Sequence, residues 1–158
     1  MVRKAAEQGN AAAQRFLGLG YSFGQGVEKN QAEAVKLFRK AAEQGDMDAQ
    51  VHLGVCYENG KGLETNKNEA VKWYLKAAEQ GDRYAQSKLG RLYTIGIGVV
   101  KNDLLAYQWY LLASANGVAG AGQDVSELEA DLTAEQRAEG QRLATEWQAA
   151  FEKRQAEK

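Results

Sequence analysis

Residues 41–46 read AAEQGD, residues 77–82 repeat the same sequence, and residues 5–10 read AAEQGN. The three copies start 36 residues apart. An active site needs each of its residues only once, whereas a short sequence that returns at a fixed interval indicates a repeated structural unit. An interval of roughly 20–50 residues is typical of proteins that stack such units along the chain.

Other residue types return at the same interval, without insertion, from Ala5 to Ala113. Each copy carries a Leu-Gly pair, a tyrosine, two glycines separated by one residue, and later an alanine and an aromatic residue. Beyond Ala113 the pattern weakens. The recurring sets are Leu17, Leu53 and Leu89; Gly18, Gly54 and Gly90; Tyr21, Tyr57 and Tyr93; Ala34, Ala70 and Ala106; and Phe38, Tyr74 and Tyr110.

The unit from Asp46 to Gly81 has the pattern of a helical hairpin. Asp46 is suited to cap a first helix with one apolar face, and Gly60 is suited to end it in the left-handed conformation. A loop of sequence GKGLETN follows, and a second helix with apolar residues three and four apart ends before Gly81. Trp73 and Tyr74 bring large apolar areas. Because one hairpin cannot cover its own apolar face, we expect neighbouring hairpins to cover it.

We predict one domain over the whole chain, closed by a helix at its C-terminal end. Thr133 and Gln136 form a capping box for that helix. The helix is mostly charged, as a terminal cap requires, with one narrow apolar stripe formed by Leu143, Trp147, Ala150 and Phe151. The predicted divisions are 1–8 as the end of a preceding repeat, 9–44, 45–80 and 81–116 as three repeats, 117–131 as a degenerate half repeat, and 132–158 as the capping helix.

Composition and charge argue against several classes of function. The formal net charge is −1, and the 20 basic and 21 acidic residues are mixed along the chain, so we expect no nucleic-acid partner. No apolar run approaches ~18 residues, so we expect no membrane insertion. The first residues lack the apolar core of a signal peptide. The sequence leaves the compartment open: cytoplasmic as it stands, or periplasmic or secreted if a signal sequence has been removed.

No catalytic or metal site stands out. His52 and Cys56 lie one helical turn apart, but zinc needs three or four ligands, and the chain has no second histidine or cysteine. The histidine also has no serine or cysteine partner at a spacing typical of an activated nucleophile. We expect Cys56 to occupy a small buried space. The sequence therefore predicts a protein that is not an enzyme and that carries no cofactor or metal.

These motifs resemble the Sel1-like repeat family, a relative of the tetratricopeptide repeats. The family pattern is followed in the second repeat by AQVHLGVCYENGKGL and EAVKWYLKAAEQGD, and it extends over about residues 1–117. The resemblance implies an all-α fold, a right-handed α/α solenoid of helix hairpins with a C-terminal capping helix. It also implies a non-enzymatic role as an adaptor or scaffold. Some relatives carry a cysteine pair in each repeat, and this chain does not.

The face of each first helix opposite the repeated face differs from repeat to repeat. Tetratricopeptide-like stacks line their concave groove with first helices, so the resemblance implies that this variable face lies in the groove. It carries apolar, Arg and Tyr residues, which suit binding; alternatively, its apolar residues pack between neighbouring first helices. The predicted partner-binding residues are Arg15, Leu19, Phe23, Asp48, Val51, Val55, Glu58, Asn59, Tyr84, Ser87, Arg91, Thr94 and Ile95.

We therefore expect a monomeric protein-binding module that holds a partner protein or peptide in the concave groove. Two other roles stay open. The chain could be a structural subunit of a larger bacterial assembly, or a specific inhibitor of a toxin or enzyme. Self-association that depends on concentration would favour the structural subunit over the adaptor.

Overall fold

The computed structural model describes residues 1–157, which form nine α-helices and no β-strand. Lys158, the last residue of the predicted capping helix, lies outside the described residues. The chain divides into two compact units, Met1–Ala77 and Ala78–Lys158, with the boundary near the end of α5. The helices are α1 (Val2–Glu7), α2 (Ala11–Phe23), α3 (Gln31–Glu43), α4 (Met47–Asn59), α5 (Lys67–Glu79), α6 (Arg83–Ile95), α7 (Asp103–Ala115), α8 (Ala121–Asp131) and α9 (Ala134–Ala156).

Short polar side chains start the first helices of the three regular hairpins. Asn10, Asp46 and Asp82 each accept a hydrogen bond from the backbone N–H three residues later, at 2.7–2.8 Å. This bond satisfies one of the N–H groups that a helix start leaves without a partner. The same helices end at glycines in the left-handed conformation, with φ between +67° and +76°, a region that side chains with a Cβ rarely adopt. These glycines are Gly24, Gly60 and Gly96.

A glycine on the first helix and an aromatic ring on the second hold each regular hairpin together. In the hairpin of α4 and α5, a Cβ atom on Gly54 would lie 2.7 Å from Cε1 of Tyr74, so only glycine lets the backbone approach this ring. Gly18 lies equally close to the ring of Phe38 in the hairpin of α2 and α3. Both rings are fully buried or nearly so, which explains why these two positions recur in the sequence.

The repeated AAEQG segments are explained by buried glutamines. The Nε2 atom of Gln14 donates to the carbonyl oxygen of Ala6 at 3.2 Å, and Gln50 makes the same bond to Ala42. In the second unit, Gln86 donates to the carbonyl of Ala78 at 3.4 Å. Each glutamine belongs to the first helix of a hairpin, and each carbonyl belongs to the AAEQG segment before that helix. The segment therefore supplies the hydrogen-bond acceptor that the buried side-chain amide of the glutamine requires.

The second unit adds α8 and α9 to the hairpin of α6 and α7. Both added helices pack against α7. The capping box of Thr133 and Gln136 is present at the start of α9, where only residues 132–133 separate it from α8. Trp147 meets Trp109 edge to face, with ring centroids 6.0 Å apart. Ala150, predicted in the apolar stripe, is exposed.

The packed face of α9 is therefore shifted from the predicted stripe. Gly140 and Ala144 are its buried residues, because a glycine and an alanine let the helix approach α7 closely. The predicted all-α fold of repeated helix hairpins is confirmed. No helix in residues 1–157 combines the length and the apolar composition that crossing a bilayer requires.

Candidate functional site

Of the residues predicted to bind a partner in the first unit, three are well exposed. Phe23 exposes 67% of its surface at the end of α2, and Asp48 and Asn59 are exposed on α4. The predicted apolar residues Leu19, Val51 and Val55 are half-buried. Leu19 packs against the core of the first unit, so part of this face also serves folding.

Glu58 was predicted on the exposed face, and that placement is wrong. Only 5% of its surface is exposed, and its carboxylate accepts a hydrogen bond from the Tyr74 hydroxyl at 2.7 Å. The Glu58 backbone carbonyl accepts another from the Lys67 ammonium. A buried tyrosine hydroxyl needs an acceptor, and Glu58 supplies it from the edge of α4 that faces α5. Its carboxylate is a structural element of the hairpin.

Arg15 was predicted to bind a partner, and its guanidinium already has acceptors within the first unit. Its Nε atom lies 3.0 Å from the Asp46 carboxylate, and a terminal nitrogen lies 3.3 Å from the Asp48 carboxylate. The guanidinium also lies over the Phe16 ring, 4.6 Å from its centroid. Arg15 thus ties α2 to the start of α4.

In the second unit, the structure brings Tyr84, Ser87 and Arg91 together. They line an open cavity of about 380 Å³ along α6. Tyr84 exposes 46% of its surface, and the Lys88 ammonium lies 5.5 Å from the centroid of its ring. Lys88, Tyr110 and Asp124 complete the lining.

A second cavity of about 180 Å³ adjoins the first, since Tyr110 and Asp124 line both. Of the predicted residues, Thr94 lines this cavity; its hydroxyl donates to the Gly90 carbonyl at 2.9 Å. The next predicted residue, Ile95, exposes 53% of its surface. The lining residues are Thr94, Tyr110, Asp124, Glu127, Leu128 and Asp131, and we call this cavity the acidic cleft.

Burial and neighbouring charges shift two pKa values in the acidic cleft. Partial burial, and next the negative charge of Glu127, raise the pKa of Asp124 above its ordinary value. Burial also raises the pKa of Tyr110, and the nearby charge of Asp124 adds to this effect. A hydrogen bond with Thr94 and the positive charge of Arg91 act on the pKa of Tyr110 in the opposite direction.

The sequence did not single out the acidic wall, although the signal was available. Glu127 and Asp131 lie 36 residues after Arg91 and Ile95, so the variable face continues into α8. The repeat pattern weakens after Ala113, and the prediction stopped with it. The cavity residues not predicted as site residues are Lys88, Tyr110, Asp124, Glu127, Leu128 and Asp131.

His52 and Cys56 both contribute to packing within the first unit. The His52 ring stacks on Phe38 with centroids 5.0 Å apart, and burial raises the pKa of the Cys56 thiol to about 11. Such a thiol is protonated at neutral pH and is a poor nucleophile. Within residues 1–157, no three His, Cys, Asp or Glu side chains are grouped so that they could hold a metal ion.

Comparison with known proteins places these hairpins among characterised repeats. The Sel1 repeat family model matches residues 11–46, 48–82 and 83–118. A solved Sel1 repeat protein from Oxalobacter formigenes is 48% identical, with a TM-score of 0.73, over 75% of this chain and 49% of that one. No curated protein matches the sequence.

Two further solved structures are similar. A protective antigen of uropathogenic Escherichia coli strains, which displays an SLR fold, is 31% identical with a TM-score of 0.71, over 99% of this chain and 43% of that one. The cysteine rich protein B of Helicobacter pylori is 26% identical with a TM-score of 0.62, over 77% of this chain and 92% of that one. The chain therefore spans less than half the length of the first two proteins.

Proposed function

Because the chain belongs to the Sel1 repeat family, we propose that it is an adaptor or scaffold that binds a partner through the exposed faces of its first helices. Repeats of this family generally mediate protein–protein interaction and are generally of a non-catalytic type. One observation carries the finer proposal. Positions that pack the hairpins recur every 36 residues and are buried or half-buried, whereas outward positions on the same helices vary and include exposed aromatic and apolar residues.

The exposed residues offer anchors of the types found at binding hot spots. Phe23 in the first unit and Tyr84 in the second present large rings that no core requires. Asp48 and Asn59 are also exposed on α4 of the first unit, and Ile95 is exposed on α6 of the second. Glu58 is not part of this surface, because its carboxylate serves the Tyr74 hydroxyl.

The proposal is tested by capturing a partner from lysate with the full chain and identifying it. Calorimetry then compares the chain with variants Phe23→Ala and Tyr84→Ala. We expect at least one of the two to weaken binding more than about tenfold, because truncated hot spots typically cost ~2 kcal/mol or more. The melting curves should stay unchanged, since both rings are exposed.

Lys72→Ala is the matched control. Its side chain is exposed on a second helix, where it forms an i,i+3 ion pair with Glu69. If all three variants bound the partner with equal affinity, the binding site would not lie on the exposed faces of the first helices. Concentration-dependent mass in light scattering would instead favour a structural subunit.

A further inference from the structure

We draw no further inference here: the strongest candidate, the exposed apolar patch of Ile95, Ile97 and Val100 at the end of α6 and in the loop after it, carries no proposal, because nothing in the structure shows what covers it.

Discussion

The hairpin of α4 and α5 in the first unit and the terminal hairpin of α8 and α9 in the second close in different ways. In the first, residues 60–66 connect the helices, and Gly54 lies against the buried Tyr74 ring. In the second, only residues 132–133 connect them. Ser126 and Glu146, 72 residues after Gly54 and Tyr74, are both exposed. The glycine–aromatic contact that closes a regular hairpin is thus missing from the terminal one.

The terminal helix uses the same kind of contact against a different helix. Gly140 of α9 lies against the ring of Tyr107 on α7, and the Tyr107 hydroxyl donates to the Glu129 carboxylate at 2.6 Å. In the regular hairpin, Tyr74 donates to Glu58 in the same manner. The comparison teaches that a glycine, a buried tyrosine and a carboxylate form the same packing element in both places. The residues that form it do not need to stand at equivalent positions of the repeat.

The largest loss of stability is expected when the Tyr74 ring is removed from the hairpin of α4 and α5. Tyr74→Ala should lower the free energy of unfolding by about 3–5 kcal/mol, because it removes a fully buried aromatic side chain. The matched change in the terminal hairpin, Glu146→Ala, removes an exposed ion pair with Arg142, and its effect should be close to the error of urea unfolding. Similar losses for both variants would mean that the two hairpins do not close differently.

Tyr74→Phe sharpens this comparison. It keeps the ring and removes one hydrogen bond to the buried Glu58 carboxylate, which should lower the free energy of unfolding by about 1.5–3 kcal/mol. The first hairpin has Phe38 at this position of the repeat and Ser22 in place of the glutamate. If the Tyr74→Phe variant were as stable as the unchanged chain, the hydroxyl would not contribute to stability. The packing element would then consist of the ring and the glycine alone.

A smaller effect is expected at the contact between α9 and α7. A Cβ atom at Gly140 would lie 2.4 Å from Cδ1 of Tyr107, whose ring is buried and held by its hydroxyl. Gly140→Ala should therefore destabilise the chain by about 1–3 kcal/mol through overpacking.

The control for Gly140→Ala is Gly122→Ala on α8. There the nearest atom, Oγ of Ser114, would lie 3.6 Å from the new methyl group, an ordinary contact. Alanine also favours a helix over glycine, so this variant should gain up to about 1 kcal/mol. Both variants are measured by urea unfolding. A stabilised Gly140→Ala variant would show that α9 does not need its close approach to α7.

Sequence periodicity predicted the fold well because most of the fold is periodic. The caps, the left-handed glycines and the burial of Trp73 all follow from positions that recur every 36 residues. The predicted exposure of Glu58 was wrong, and the ion pair of Arg15 was not foreseen, because their partners Tyr74 and Asp46 come from other helices that a helical wheel does not include.

The acidic cleft was missed for a related reason. Its wall on α8 continues the variable face, but α8 has lost the Leu-Gly pair and the loop that make a repeat recognisable. Periodicity identifies residues that are repeated, and a binding surface is built from residues that are not. The role of the whole predicted surface in binding stays a prediction, which the variants of Phe23 and Tyr84 test.

The smallest effect concerns two carboxylates in the first turns of the two terminal helices. Glu135 lies at the start of α9, where hydrogen bonds from its own backbone N–H and from Thr133 lower its pKa. Asp124 lies in the first turn of α8, which has no side-chain cap, and burial together with Glu127 raises its pKa. NMR titration of the side-chain carboxyl carbons should therefore place the two pKa values on opposite sides of their ordinary values.

The two shifts have opposite consequences for stability. The raised pKa of Asp124 favours folding below the ordinary pKa of aspartate, and this contribution is lost as pH rises through the folded value. The lowered pKa of Glu135 favours folding above the ordinary pKa of glutamate, and this contribution is lost as pH falls through the folded value. From pH 3 to pH 7, Asp124→Asn should therefore gain stability relative to the unchanged chain, whereas Glu135→Gln should lose it. If both variants changed in the same direction, the burial of Asp124 and its closeness to Glu127 would not distinguish it from Glu135 at the start of α9.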